Sequence, residues 1–148
     1  MSDEDRLKLQ LPMAAWSDGH GLNQATALVQ KHRHLLPKRI TNAQLSGLNG
    51  VVQAVDRLDQ VMDFAQHQGM RAARAGRMDV KGYWDDLREA LDTLEGEAVQ
   101  LLAQAGLSVE EAEGNGKRSP RAPSWLTLWL AQEFVQHLVA HSLYLGAV

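Results

Sequence analysis

The sequence predicts an all-α protein, and three observations support this fold class. Apolar residues recur at spacings of three and four along much of the 148-residue chain, as they do on the buried face of a helix. No segment alternates apolar and polar residues with the period of two that strands show. Residues typical of helix starts and ends divide the periodic stretches. We therefore expect a single domain, residues 1–148, folded as a compact bundle of four or five helices.

The composition is that of a globular intracellular protein. Hydrophobic residues make up 45% of the chain and charged residues 22%, a balance typical of folded domains and not of disordered ones. Because the chain has no cysteine, it can form neither disulfides nor thiolate metal sites. The acidic N-terminus has no apolar segment behind it, so we expect no secretory signal and a cytoplasmic location.

The first third of the chain is predicted to hold an irregular arm and a helix. Residues 1–20 mix charges with proline and glycine, which favours the irregular arm. A helix is expected from a cap at Asn23 to about Leu36, where a proline follows. Thr41 and Gln44 then form a capping box, in which each side chain binds the other's backbone N–H, so the next helix starts beside them.

Two further helical stretches are predicted in the middle of the chain. The stretch after the capping box is more polar at 56–59, which leaves open one long helix to about Ala75 or two shorter ones. Gly76 is a natural stop. Asp79 offers a cap for the following helix, which Gly106 closes.

The last third is predicted to be a long loop and an apolar helix. Residues 106–123 are rich in Gly, Pro, Ser and charge, which favours a loop or linker. Residues 124–146, capped by Ser124, are apolar around most of the helix circumference. A membrane span would place several polar side chains at the bilayer centre at high cost, so we expect a central or interface helix. These polar residues are Gln132, Glu133, Gln136, His137 and His141.

Charge is strongly segregated along the chain, although the net charge is only −3. Residues 85–113 carry nine carboxylates and one cation, whereas three other stretches are basic, which predicts electrically distinct faces. The basic clusters are Lys31, Arg33, Lys38 and Arg39; Arg71, Arg74, Arg77 and Lys81; and Lys117, Arg118 and Arg121.

The second basic cluster has a helical spacing that suggests a function. His67, Arg71 and Arg74 follow one another at intervals of four and three, so they form a cationic ridge that Arg77 and Lys81 extend. Such a ridge fits a phosphate backbone, and we expect the three basic clusters with His67 to bind nucleic acid without sequence preference. The alternatives are pairing with an acidic helix of the same or a neighbouring molecule, or a solvated surface.

Catalytic and metal-binding patterns have little support. Glu133, His137 and His141 are spaced by four and share one helix face, as metal ligands can, but no other helix offers a matching carboxylate and histidine. We interpret them as a polar stripe and expect no metal and no cofactor, with a metal-dependent bundle enzyme as the minor alternative. The chain lacks a nucleophile elbow and a phosphate-binding glycine loop. We therefore expect no catalytic residues.

Three aromatic residues of the last helix are candidate interface anchors. Trp125, Trp129 and Phe134 are expected to contact a protein partner or a second copy of the chain. Stacking on bases is the alternative for the two tryptophans, since basic residues precede them.

Three stretches lie within roughly residues 40–105: Ile40 to Leu48, Phe64 to Gln68 with Arg71 and Arg74, and Tyr83-Trp84 at the start of an acidic helix with Leu91 and Leu94. In these stretches the chain resembles a known family, the small helical subunits of CRISPR effector complexes. The resemblance implies a non-catalytic antiviral-defence protein that packs beside backbone subunits, often in more than one copy, and lines the channel for guide RNA and target strand. It implies that Arg71, Arg74 and Arg77 face nucleic acid and that the last helix faces a neighbour.

Two functions are therefore expected from the sequence. The first is a non-catalytic small subunit of a CRISPR-type ribonucleoprotein that contacts guide RNA and target RNA or DNA. The alternative is a helical interaction or dimerisation module that binds no nucleic acid, with its interface on the last helix.

Overall fold

The structure is a computed structural model that describes residues 1–107, 110–114 and 117–148, with side chains for 1–107 and 121–148. It confirms the all-α class and the compact helical bundle. The helices are α1 (Asp3–Trp16), α2 (Leu22–Lys31), α3 (Asn42–Ala54), α4 (Leu58–Arg74), α5 (Met78–Asp92), α6 (Leu94–Gln104) and α7 (Ser124–Ala147).

The N-terminal segment, predicted to be an irregular arm, is helical. The Ser2 side chain caps α1 by accepting a hydrogen bond from the Asp5 N–H at 3.2 Å. A single π-helical turn, Ser17–Gly21, joins α1 to α2 without a break in the helical backbone. Asn23 is therefore inside a continuous helix and caps nothing. The prediction was wrong because α1 has only a weak apolar stripe and is held by two buried side chains, Leu9 and Trp16.

The helix signals in the middle of the chain are largely confirmed. The Gln44 N–H binds Thr41 Oγ1 at 3.2 Å, and the Thr41 N–H binds Gln44 Oε1 at 2.9 Å, which completes the capping box. Of the two alternatives for the next stretch, the structure has two helices, α3 and α4, separated at residues 55–57. Gly76 follows α4 with a φ of 73°, a left-handed conformation that favours glycine at a helix end.

The acidic helical stretch is divided by Thr93 into α5 and α6. The Thr93 hydroxyl lies 2.8 Å from the Ala90 carbonyl and 2.9 Å from a Glu97 carboxylate oxygen, so it is held by both helices. Asp79 lies in the first turn of α5, where its carboxylate accepts from the Val80 N–H at 2.9 Å, and does not occupy the cap position. Gly106, with a φ of 73°, ends α6 as expected.

The segment predicted to be a long loop contains an antiparallel β-hairpin. Its strands are β1 (Glu110–Gly114) and β2 (Lys117–Arg121); residues 108, 109, 115 and 116 of the predicted loop lie outside the described residues. The register pairs Glu110 with Arg121 and Glu113 with Arg118, and opposite charges at paired positions favour such a hairpin.

The last helix, α7, is the central helix of the bundle and packs against α2, α3 and α6. This agrees with the expected central position. Ser124 is its first residue, preceded by Pro123, and its side chain makes no capping hydrogen bond. Among the described residues, no helix combines the length and the hydropathy that a membrane crossing requires.

Contacts along α7 define two ends of the bundle. At the start of α7, the Arg6 guanidinium lies over the Trp125 ring, 4.9 Å from its centroid. At its end, an added Cβ on Gly146 would lie 3.1 Å from a Pro37 side-chain atom, so this glycine permits close packing. These two positions are 21 residues apart on one helix, or roughly 31 Å at 1.5 Å per residue. Features near Trp125 and near Pro37 are therefore at opposite ends of the molecule.

Candidate nucleic-acid interface

The structure brings two of the three predicted basic clusters together at the Pro37 end of the bundle. The segment after α2 carries Arg39, whose guanidinium pairs with the Asp79 carboxylate at the start of α5. Arg39 also lines a surface cleft with Arg71 and Arg77, from the last turn of α4 and the turn before α5. We call the exposed cations of this region the basic end. They are Arg33, Lys38, Arg39, Arg71, Arg74 and Arg77.

Some of the predicted nucleic-acid-binding cations are paired within the molecule. Lys31 Nζ lies 2.9 Å from Asp86 Oδ2, and Lys81 Nζ lies 2.5 Å from Asp85 Oδ2. With the pair made by Arg39, these contacts match the expectation that part of the basic face pairs with an acidic helix of the same molecule. Because these cations already have carboxylate partners, they add less to a surface that attracts anions.

The remaining cations of the basic end are exposed to solvent. Within the described side chains, no carboxylate lies in ion-pair distance of five of them. The five are Arg33, Lys38, Arg71, Arg74 and Arg77. His67 is also exposed on α4, and its Nδ1 donates to the Asp63 carbonyl at 2.8 Å. The basic end therefore presents an excess of positive charge to solvent.

His32, beside the first basic cluster, is part of the bundle's interior and not of its basic surface. It is 8% exposed, and its Nε2 donates to Asp86 Oδ2 at 2.7 Å. Its ring also packs edge-on against Tyr83, at a centroid distance of 5.5 Å. Partial burial acts to raise the pKa of Asp86, but hydrogen bonds and charge from Lys31 and His32 outweigh it and hold that pKa below its usual value.

We expect the Asp86 contacts to stabilise the protein in a pH-dependent way. Since the pKa of Asp86 is lower in the folded state, its stabilising effect is present above about pH 4 and is lost as the pH falls through the lower folded value. Asp86→Asn should therefore cost about 1 kcal/mol of unfolding free energy near pH 7 and much less near pH 3. Urea unfolding at both pH values measures this. Asp59→Asn, in the exposed pair with Arg57, is the matched control, and an equal loss at both pH values would contradict the expectation.

The cleft at the basic end is small and strongly cationic. It encloses about 230 Å³ and is lined by Arg39, Arg71 and Arg77, with the amide side chains of Gln44 and Gln68. Its apolar lining includes Ala72 and Val80, which are almost completely buried. Guanidinium and amide N–H groups are donors, so the cleft is suited to an anion.

The third basic cluster lies far from the first two. Arg121 is exposed at the end of β2, and the next residue, Ala122, donates its N–H to Glu95 Oε1 at 3.0 Å. This is the Trp125 end of the molecule. Lys117 and Arg118 are on β2, and their side chains lie outside the described part. The structure therefore does not join the third cluster to the basic end.

The predicted aromatic interface is only partly accessible. Phe134 is 1% exposed and belongs to the core, so its assignment to an interface was wrong. Trp125 and Trp129 are half-buried and pack against the core. Arg6 lies over the Trp125 ring at the end of the molecule opposite the basic end, so Trp125 lies apart from the basic end.

The carboxylate and histidines of α7 contact the first two helices. Ser17, in the π-helical turn, donates to Glu133 Oε2 at 3.2 Å and lies 3.0 Å from His137 Nε2. His141 Nε2 accepts from the Gln30 side-chain amide at 3.2 Å. Among the described residues, no three His, Asp or Glu side chains are grouped as a metal ion requires. The stripe therefore contributes polar contacts between α7 and the α1–α2 helix.

Two residues of the cleft, Gln44 and Gln68, were not among the predicted site residues. Gln44 was assigned only to the capping box, and that same contact orients it. Because Gln44 Oε1 binds the Thr41 N–H, its NH₂ group remains as a donor. The capping box was thus a signal for the orientation of this side chain, although not for its place beside Arg71.

Comparison with protein-family models, with curated proteins and with solved structures finds no match for this chain.

Proposed function

We propose that the chain is a non-catalytic helical subunit of a ribonucleoprotein, of the CRISPR effector type that residues 40–105 resemble, and that it holds nucleic acid by its phosphate backbone. The observation that carries the proposal is the convergence of two basic clusters, distant in sequence, on one end of the bundle. Exposed arginine and lysine side chains without carboxylate partners are the groups that neutralise backbone phosphates and release counterions.

The form of the surface supports backbone contact more than base recognition. The cations of the basic end come from a helix end and from two connecting segments, not from one helix that could enter a groove. Trp125 is at the opposite end. A surface of exposed cations that several segments contribute binds phosphates and is tolerant of sequence.

Exposed apolar residues support contact with other subunits. Leu7 and Leu11 are one turn apart on α1 and are 63% and 82% exposed. Large apolar side chains at such a spacing are typical of a surface that another protein covers. They lie on α1, far from the basic end, so a neighbour and a nucleic-acid strand could be bound together.

The proposal is tested by measuring binding to labelled single-stranded RNA and DNA over a series of salt concentrations. We expect affinity to fall steeply with salt. Lys38→Ala/Arg74→Ala should weaken binding and reduce the slope of log K against log salt by about 1.4, since each lost phosphate contact contributes about 0.7 on a single strand.

The matched control is Lys8→Ala/Arg88→Ala. It removes the same charge from exposed positions on α1 and α5 and should leave the slope unchanged. Equal losses in the two double variants, or no binding at low salt, would contradict the proposal. Circular dichroism of all variants verifies that their helix content is unchanged.

A further inference from the structure

We propose that the cleft at the basic end is a binding site for a terminal phosphate monoester of a nucleic-acid strand. This inference rests on the proposed function, in which the basic end binds nucleic acid. It adds that the cleft binds the end of the strand. The remaining cations of the basic end would hold phosphodiesters, while the cleft would hold a strand end that carries a phosphate.

Charge balance is the first argument. Arg39, Arg71 and Arg77 bring three positive charges to the cleft, and the Asp79 carboxylate that pairs with Arg39 removes one. Two positive charges remain. A phosphate monoester carries about 1.5 to 2 negative charges at pH 7, which matches this excess, whereas a phosphodiester within a strand carries only one.

The donor arrangement is the second argument. A terminal phosphate has three oxygens free to accept hydrogen bonds, and the cleft offers three guanidinium groups and two side-chain amides. Two of these groups are held in place. Arg39 is restrained by Asp79, and the Gln44 amide is turned by its bond to the Thr41 N–H so that its NH₂ group can donate. Restrained donors bind an anion with less loss of conformational freedom.

The experiment compares single-stranded RNA oligonucleotides of one sequence that carry a 5′-phosphate, a 3′-phosphate or no terminal phosphate. We expect at least one phosphorylated form to bind about tenfold or more tightly than the unphosphorylated one, as charge-assisted hydrogen bonds to a dianion would produce. Inorganic phosphate at millimolar concentration should reduce this preference.

Two double variants with the same loss of charge separate the cleft from the rest of the surface. Arg71→Ala/Arg77→Ala should abolish the preference for a terminal phosphate. Lys38→Ala/Arg74→Ala, whose residues do not line the cleft, should weaken binding of all oligonucleotides equally and leave the preference intact. Melting temperatures of both variants verify that they are folded.

The outcomes distinguish this inference from the proposed function. Equal affinity for phosphorylated and unphosphorylated strands, with salt-dependent binding retained, would overturn the terminal-phosphate site and leave the proposed function standing. A preference that survives in Arg71→Ala/Arg77→Ala would also overturn it. No binding of any strand would overturn both. If a phosphoserine peptide bound more tightly than any phosphorylated strand, the ligand of the cleft would be a phosphorylated protein. That result would overturn the assignment of the cleft to a nucleic-acid end.

Discussion

Replacing Trp84 by alanine should cost about 3 to 5 kcal/mol of unfolding free energy, the cost usual for a large aromatic side chain in a core. Trp84 is completely buried on α5. Its ring packs edge-on against Phe64 of α4, at a centroid distance of 6.0 Å, and against Tyr83, at 5.3 Å. Removal would leave a cavity beside the Phe64 and Tyr83 rings, because both rings would lose the indole against which they pack.

Chemical denaturation of Trp84→Ala measures this effect, and two other variants make the result specific. Trp84→Phe should cost much less, because the indole N–H is buried without a hydrogen-bond partner among the described residues and its removal relieves that penalty. Met78→Ala, at an exposed position of the same helix, should change stability by less than about 0.5 kcal/mol. A loss at Trp84 as small as that at Met78 would contradict the packing described.

Replacing Phe134 by alanine should also cost about 3 to 5 kcal/mol and should leave the association state unchanged. The reason is that Phe134 lies in the core of α7 and so stabilises each molecule separately. Were it an interface anchor, as the sequence suggested, the substitution would shift the oligomer equilibrium and affect the isolated molecule little.

Denaturation and sedimentation of Phe134→Ala distinguish these two roles. Tyr144→Ala is the control on the same helix, since Tyr144 is 63% exposed and its loss should change stability by less than about 0.5 kcal/mol. A stable Phe134→Ala with altered sedimentation would restore the interface assignment.

Some local signals in this sequence predicted helix ends correctly, whereas the caps expected at Asn23, Asp79 and Ser124 are not formed. The capping box of Thr41 and Gln44, and the glycines at 76 and 106, are where the structure ends or begins helices. Each signal depends on hydrogen bonds or backbone angles within a few residues, which the sequence contains in full.

Features that depend on tertiary packing were not predictable in the same way. The helix α1 has a poor apolar stripe and is held by Leu9 and by Trp16, whose indole N–H donates to Glu97, 81 residues away, at 3.2 Å. The core position of Phe134 was ambiguous because α7 is apolar around most of its circumference, so its pattern does not distinguish core from interface. The contact of His32 with Asp86 was likewise not predictable, because the two residues are 54 positions apart in the sequence.

The candidate site shows the same division. The ridge of His67, Arg71 and Arg74 followed from helical spacing alone, and all three side chains are exposed as expected. The sequence did not predict that Arg39 and Arg71 line the same cleft. Their proximity depends on the ion pair between Arg39 and Asp79 and on the packing of the turn after α4 against the segment after α2. The separate location of Arg121 likewise depended on the contact of β2 with α6.

At the Trp125 end the carboxylates in the first turn of α1 offset nearby cations such as Arg6 and Arg121, whereas the basic end has an excess of positive charge, so charge is unevenly distributed along the molecule. Asp3, Glu4 and Asp5 form the first turn of α1, and Arg6 beside them is at the Trp125 end of the bundle. A polyanion that approaches would therefore turn the molecule before any contact is made, with Arg71 and Arg77 leading and the acidic turn pointing away. Because this orientation acts over distances comparable to the Debye length of about 8 Å at physiological salt, it raises the rate of productive encounters most at low ionic strength.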